Sequence, residues 1–184
     1  MKHVKVTLVP LAENDREPFI LENQWAFKHG AQIEFGKRDD HVDDDGEIIS
    51  RQTIEHGIDE PGNEAYRIML GDRKVGGAIL KRNPETRHNH LEIFFVSPGE
   101  HNKGIGLAAW RAIEALYPET KVWETCTPYF EKRNIHFYVN KCGFHIVEFY
   151  NEHHVDPNGL SAETNEQEGP DEMFRLIKVM KDKK

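Results

Sequence analysis

Residues 91–116 read LEIFFVSPGEHNKGIGLAAWRAIEAL, and the rest of the chain is organised around them. Leu91–Val96 joins aliphatic, β-branched and aromatic residues in one short run, which predicts a buried strand. Ser97, Pro98 and Gly99 end it. From Ile105 to Leu116 the apolar residues recur at helical spacing, and Pro118 stops the helix. His101-Asn102-Lys103-Gly104-Ile105-Gly106 links strand to helix. Its glycines let the backbone curl tightly, and N–H groups at the positive end of a helix can hold a pyrophosphate.

Two cofactor classes offer that pyrophosphate. Gly104-Ile105-Gly106-Leu107-Ala108-Ala109 satisfies the loose dinucleotide pattern G-x-G-x-x-A, with Glu124 near the place of a ribose-binding acid. A Rossmann loop sets its first glycine almost directly after the strand, whereas Ser97–Lys103 intervene here. The arrangement of Val96, a proline-bearing loop and His101-Asn-Lys-Gly104-Ile-Gly106 opening a helix resembles the acetyl-CoA signature of the GNAT N-acetyltransferase superfamily. His101 stands where that family has Arg or Gln. The resemblance implies that main-chain groups of Phe94, Phe95 and Val96 pair with the pantetheine arm beside a strand bulge. It also implies that His101, Asn102, Lys103, Gly104, Ile105, Gly106 and Leu107 surround the pyrophosphate.

A second stretch, Asn134-Ile-His-Phe-Tyr138-Val-Asn-Lys-Cys-Gly143-Phe144, resembles the family's C-terminal motif Asn-x-x-Ala-x-x-hydrophobic-Tyr-x-Lys-x-Gly-Phe. Its tyrosine, here Tyr138, is the implied general acid for the departing thiolate. The match is one residue out of register, because Tyr138 and Gly143 stand one position farther apart than the family's pair. Asn134 and Tyr138, four apart on a helix, can face the cofactor together. For a general base, His90 and Glu92 alternate on one strand face. Glu92 is the better candidate, since apolar neighbours would push its carboxyl towards neutrality. Glu124 is the alternative.

Around this centre, strands are expected at Lys2–Val9, Glu64–Leu70, Lys74–Lys81, Lys121–Cys126, Phe144–Tyr150 and Met173–Met180. Helices are expected at Glu13–Phe35, Ile48–Ile58 and Pro128–Lys141, with Gly71-Asp72 turning a hairpin. Residues 36–47 read as an acidic loop and 151–172 as a mobile one. The order β-α-α-β-β-β-α-β-α-β-β is that of a GNAT domain. It predicts one domain over 1–184 with an α/β (α+β three-layer) fold, a mixed, largely antiparallel sheet and helices on both faces.

Bulk properties narrow the class. Of 184 residues, 38% are hydrophobic and 30% charged, which suits a globular chain. A net charge of −8 opposes a nucleic-acid surface and mildly favours a cationic acceptor. No run spans a bilayer and the start is charged too early for a secretory signal, so a cytoplasmic setting is expected. Cys126 and Cys142 read as core residues rather than a disulfide or nucleophiles. His41–Gln52 carries the middle of a calcium loop, D-x-D-G-x-I, but lacks acids at its first and twelfth positions. His88-Asn-His90 and His153-His154 lack partner ligands at recognisable spacing. No metal is therefore expected. The expected activity is direct acetyl transfer from acetyl-CoA to a primary amine, without nucleic-acid or membrane partners and with room for a homodimer. A non-catalytic module that binds coenzyme A is the competing reading, and a Rossmann-type enzyme a further one.

Overall fold

The structure, a computed structural model, describes residues 4–30, 46–157 and 172–181. Backbone contacts divide the chain into two compact units, Met1–Thr120 and Lys121–Lys184. The acidic loop up to Asp45, the first positions of the candidate calcium loop, and residues 158–171 lie outside the described residues.

The first unit holds β1 (Thr7–Pro10), α1 (Arg16–Lys28), α2 (Arg51–Asp59), β2 (Asn63–Leu70), β3 (Arg73–Lys81), β4 (His88–Val96) and α3 (Ile105–Leu116). Its strands pair antiparallel in the order β1-β2-β3-β4. Local chemistry sets the boundaries. Ser50 caps α2, its hydroxyl accepting from the Thr53 N–H at 2.9 Å. That moves the helix start to Arg51, later than the apolar pattern at Ile48 suggests. Gly71 turns the hairpin at φ +61°.

Period-two alternation splits the core of this unit. Ile79, Ile93 and Phe95 face α1 and α2, packing on Phe19, Ile20, Ala26 and Ile54. Ile68 and Val75 pack instead with Ile105 and Ala109 of α3. Helices thus cover both faces of this unit's sheet. Gly77 makes one contact possible: a Cβ there would lie 2.3 Å from Phe19 and 2.7 Å from Phe95. The two rings meet edge to face, 5.3 Å apart. Beside them Arg67 is buried with Phe19 beneath its guanidinium, and it donates to Asp15 (2.7 Å) and Glu22 (2.8 Å). Burial raises the Asp15 carboxyl, but hydrogen bonds from Arg67 and Lys74 outweigh it and hold the group below its usual range.

The second unit holds β5 (Val122–Pro128), α4 (Lys132–His136), β6 (His145–Tyr150) and β7 (Met173–Val179). β7 lies in the middle, antiparallel to both β5 and β6. The expected helix over Pro128–Lys141 is shorter than read. Five residues are α-helical, and Phe137–Cys142 form a wider π turn. Gly143, at φ +81°, ends it as expected. Among the described residues no helix is long and apolar enough to cross a membrane.

Candidate functional site

The loop between β4 and α3 is built as a cradle. Asn102 and Gly104 both take left-handed backbone, at φ +61° and +77°. Gly104 is the N-cap of α3, and among the described residues no side chain caps the helix. Its first-turn amides, Ile105 to Leu107, lie at the positive end of the dipole. Asn102, Lys103 and Gly104 are exposed, while Ile105 is buried and anchors the helix start.

Side chains brace the loop from outside. His101 does not extend from the loop as an Arg would: its Nε2 donates to the Val96 carbonyl at 2.8 Å. The ring fastens the loop to the last residue of β4. Lys103 donates to the Gly99 carbonyl at 2.8 Å and pairs with Glu100, which Arg73 also holds at 2.6 Å. The Arg73 and Lys103 cations keep the Glu100 carboxyl below its usual range.

β4 carries an irregularity against β3. Ile79 pairs with Ile93 and Leu80 with Leu91, so Glu92 is an extra residue without a partner on β3. The bulge lies two residues before Phe94. It also corrects one expectation: Glu92 is exposed, whereas Leu91 and Ile93 are buried. The apolar neighbours expected to enclose its carboxylate point into the core. Phe95 is buried too, and Phe94 and Val96 are half-buried in the cluster beneath α3.

In the second unit Tyr138 lies between the rings of Phe137 and Phe144, with centroids 5.4 and 5.6 Å away. Burial raises its phenol well above the ordinary range, and nearby Cys142 adds to this. A hydrogen bond from Thr125 pulls the other way. The phenol is therefore protonated at neutral pH. The π turn bears directly on register: the Gly143 N–H reaches back to the Tyr138 carbonyl, as does Phe144 N–H at 2.9 Å. A π turn holds one residue more than an α turn, and one residue is the excess between Tyr138 and Gly143. Lys178 closes the turn through the Cys142 carbonyl at 2.5 Å. Asn134 is not enclosed with Tyr138. It lies exposed in the five-residue α4.

Other candidates are engaged with neighbours. Glu124 is buried and bound through both oxygens to Arg175, at 2.8 Å each, and so is engaged rather than poised as a base. His88 and His90 stack at 5.2 Å. His154 stacks on Tyr150 and approaches Glu148, and His153 pairs with Glu152. Cys142 is buried as expected, whereas alternation along β5 turns Cys126 outward. A cavity of about 330 Å³ opens beside the start of β2, lined by Leu11, Glu13, Arg16, Ile58, Glu64 and Tyr66. None of the sequence-predicted site residues lines it. Sequence reading missed Thr125 and the His101 brace, for which no pattern signals exist. It did carry a signal for the π turn, in the surplus residue before Gly143.

Comparison with known proteins gives three findings. Residues 36–144 match the acetyltransferase (GNAT) family. The uncharacterised Bacillus subtilis (strain 168) protein YrkN is 47% identical over 183 residues, covering 97% of this chain and 96% of its own. Two solved structures share the fold. A GNAT family acetyltransferase from Elizabethkingia anophelis with acetyl-CoA bound has a TM-score of 0.65 at 13% identity, covering 97% of this chain and all of its own. Spermidine N-acetyltransferase from Vibrio cholerae, in complex with CoA and spermine, has a TM-score of 0.63 at 14% identity, with 96% of each chain covered.

Proposed function

The chain belongs to the acetyltransferase (GNAT) family, and on that premise we propose that it moves an acetyl group from acetyl-CoA directly to a primary amine. The observation that carries the reading is the α3 N-terminus, uncapped by any side chain among the described residues and entered through left-handed Asn102 and Gly104. Those features fit a pyrophosphate, which accepts hydrogen bonds from successive amides and complements the helix dipole. Asn102, Lys103, Gly104, Ile105, Gly106 and Leu107 would hold it, with His101 fixing the loop that presents them. Phe94 to Val96 would pair with the pantetheine arm. The Val96 carbonyl is already engaged by His101.

When bound, acetyl-CoA supplies the acetyl thioester; the protein's own groups position the amine and manage two protons. Glu92, exposed on its bulge, receives the ammonium proton directly or through water, freeing the nitrogen lone pair for the acyl carbon. As the C–S bond breaks, Tyr138 donates its phenolic proton to sulfur, and the second proton lost by the nitrogen as the amide forms restores the phenol. Backbone N–H near Val96 offers hydrogen bonds to the developing oxyanion. The net acidic charge favours a cationic acceptor.

A thiol-release screen of amines with acetyl-CoA tests the reading. Release dependent on one amine class supports it. Tight coenzyme A binding with no release for any primary amine would replace it with a non-catalytic module. Glu92→Gln should lower kcat/KM about tenfold near neutral pH. The deficit should shrink as pH rises, because the amine then arrives already deprotonated. A deficit constant across the pH profile would remove Glu92 from proton transfer.

A further inference from the structure

Asn23 is fully buried on α1, and among the described residues neither its amide nitrogen nor its amide oxygen has a hydrogen-bond partner. Several other buried polar side chains of this unit are satisfied. Gln24, next on the helix, donates to the Ile49 carbonyl at 3.2 Å. Buried Asn89 accepts from the Asn83 N–H at 2.9 Å and donates to Thr120 at 2.8 Å. Buried Asp15 and Arg67 satisfy each other. Leaving both halves of an amide desolvated and unpaired is costly, so such a group points to a missing partner.

The position of Asn23 indicates which partner. Phe19, one turn earlier on the same face, meets Phe95 near the end of β4. His29, beyond Asn23, meets the ring of His101 at 6.2 Å, and its own Nδ1 is buried without a partner among the described residues. Asn23 lies about 6 Å along the helix from Phe19, between those contacts. Along the helix axis it thus falls between the contact that α1 makes with the end of β4 and the one that it makes with the phosphate loop. Resting on the cofactor reading above, we infer that Asn23 hydrogen-bonds an amide of the pantetheine arm. A secondary amide offers one donor and one acceptor, which complements the two orphaned atoms of a primary amide. Reaching it requires the side chains that cover Asn23 to yield as the arm enters.

Calorimetric titration of the wild type, Asn23→Leu and Asn23→Ala with two probes tests this. Coenzyme A carries the arm; adenosine 3′,5′-bisphosphate carries only the nucleotide end. Both variants should bind coenzyme A about tenfold more weakly, with affinity for the bisphosphate unchanged. Asn23→Leu should melt no lower than the wild type, because it removes the unpaired polar atoms without removing volume. Unchanged coenzyme A affinity, or equal weakening for both probes, would overturn the inference. If the wild type itself binds neither probe, the cradle reading falls first and this one with it.

Discussion

Tyr138→Phe should lower kcat by about 10²- to 10³-fold while leaving the protein folded. The phenol ring fills a buried place between Phe137 and Phe144, and phenylalanine keeps that ring and its edge contacts. Only the hydroxyl is lost. Because burial holds the phenol above its ordinary range, the wild type carries the proton throughout the neutral region. Its rate should therefore not fall on the alkaline side until beyond the usual tyrosine range. The variant should bind coenzyme A normally, since the loop and α3 are untouched. Steady-state kinetics and a melting curve check both halves. A kcat within threefold of wild type would take Tyr138 out of the chemistry and leave it as a core residue.

Gly77→Ala should destabilise the protein by about 2–3 kcal/mol, or roughly 5–10 °C in melting temperature for a chain of this size. The methyl would enter space held by two rigid rings, at 2.3 Å from Phe19 and 2.7 Å from Phe95. Neither ring can yield without moving α1 off β3 and β4. Gly76→Ala meets the Phe95 carbonyl oxygen at 2.2 Å and should behave alike. Gly71→Ala provides a contrast, since nothing lies within 4 Å of its added carbon and its cost is backbone strain alone. Thermal melts of the three variants rank these effects. A Gly77→Ala protein as stable as wild type would mean that the α1 face packs differently.

These two sites differ in how far the sequence reveals them. Element order, the strand–loop–helix at 91–116 and the stop at Gly143 are legible because apolar periodicity and punctuation by Gly and Pro are local signals. The role of Gly77 is not, since it depends on a ring from α1 that is distant in sequence. Glu92 alternates cleanly with buried neighbours, so its bulge leaves no trace in the pattern. The burial of Asn23 is likewise fixed by tertiary packing. The Tyr138 misfit shows an intermediate case. The surplus residue is visible in the sequence, but the π turn that takes it up follows only from the backbone. His101 shows how one substitution changes a role. An imidazole is too short to reach outward as an Arg would, and it instead bonds the strand end.

The central claim is that the β4–α3 loop holds the pyrophosphate of coenzyme A, and a melting curve with and without the ligand tests it most directly. At a concentration about a hundred times the dissociation constant, binding adds roughly 2.7 kcal/mol, or about 5–10 °C here. Coenzyme A and acetyl-CoA should both raise the melting temperature by that amount, and NAD should not. A shift with NAD and none with either thioester-family ligand would contradict the account.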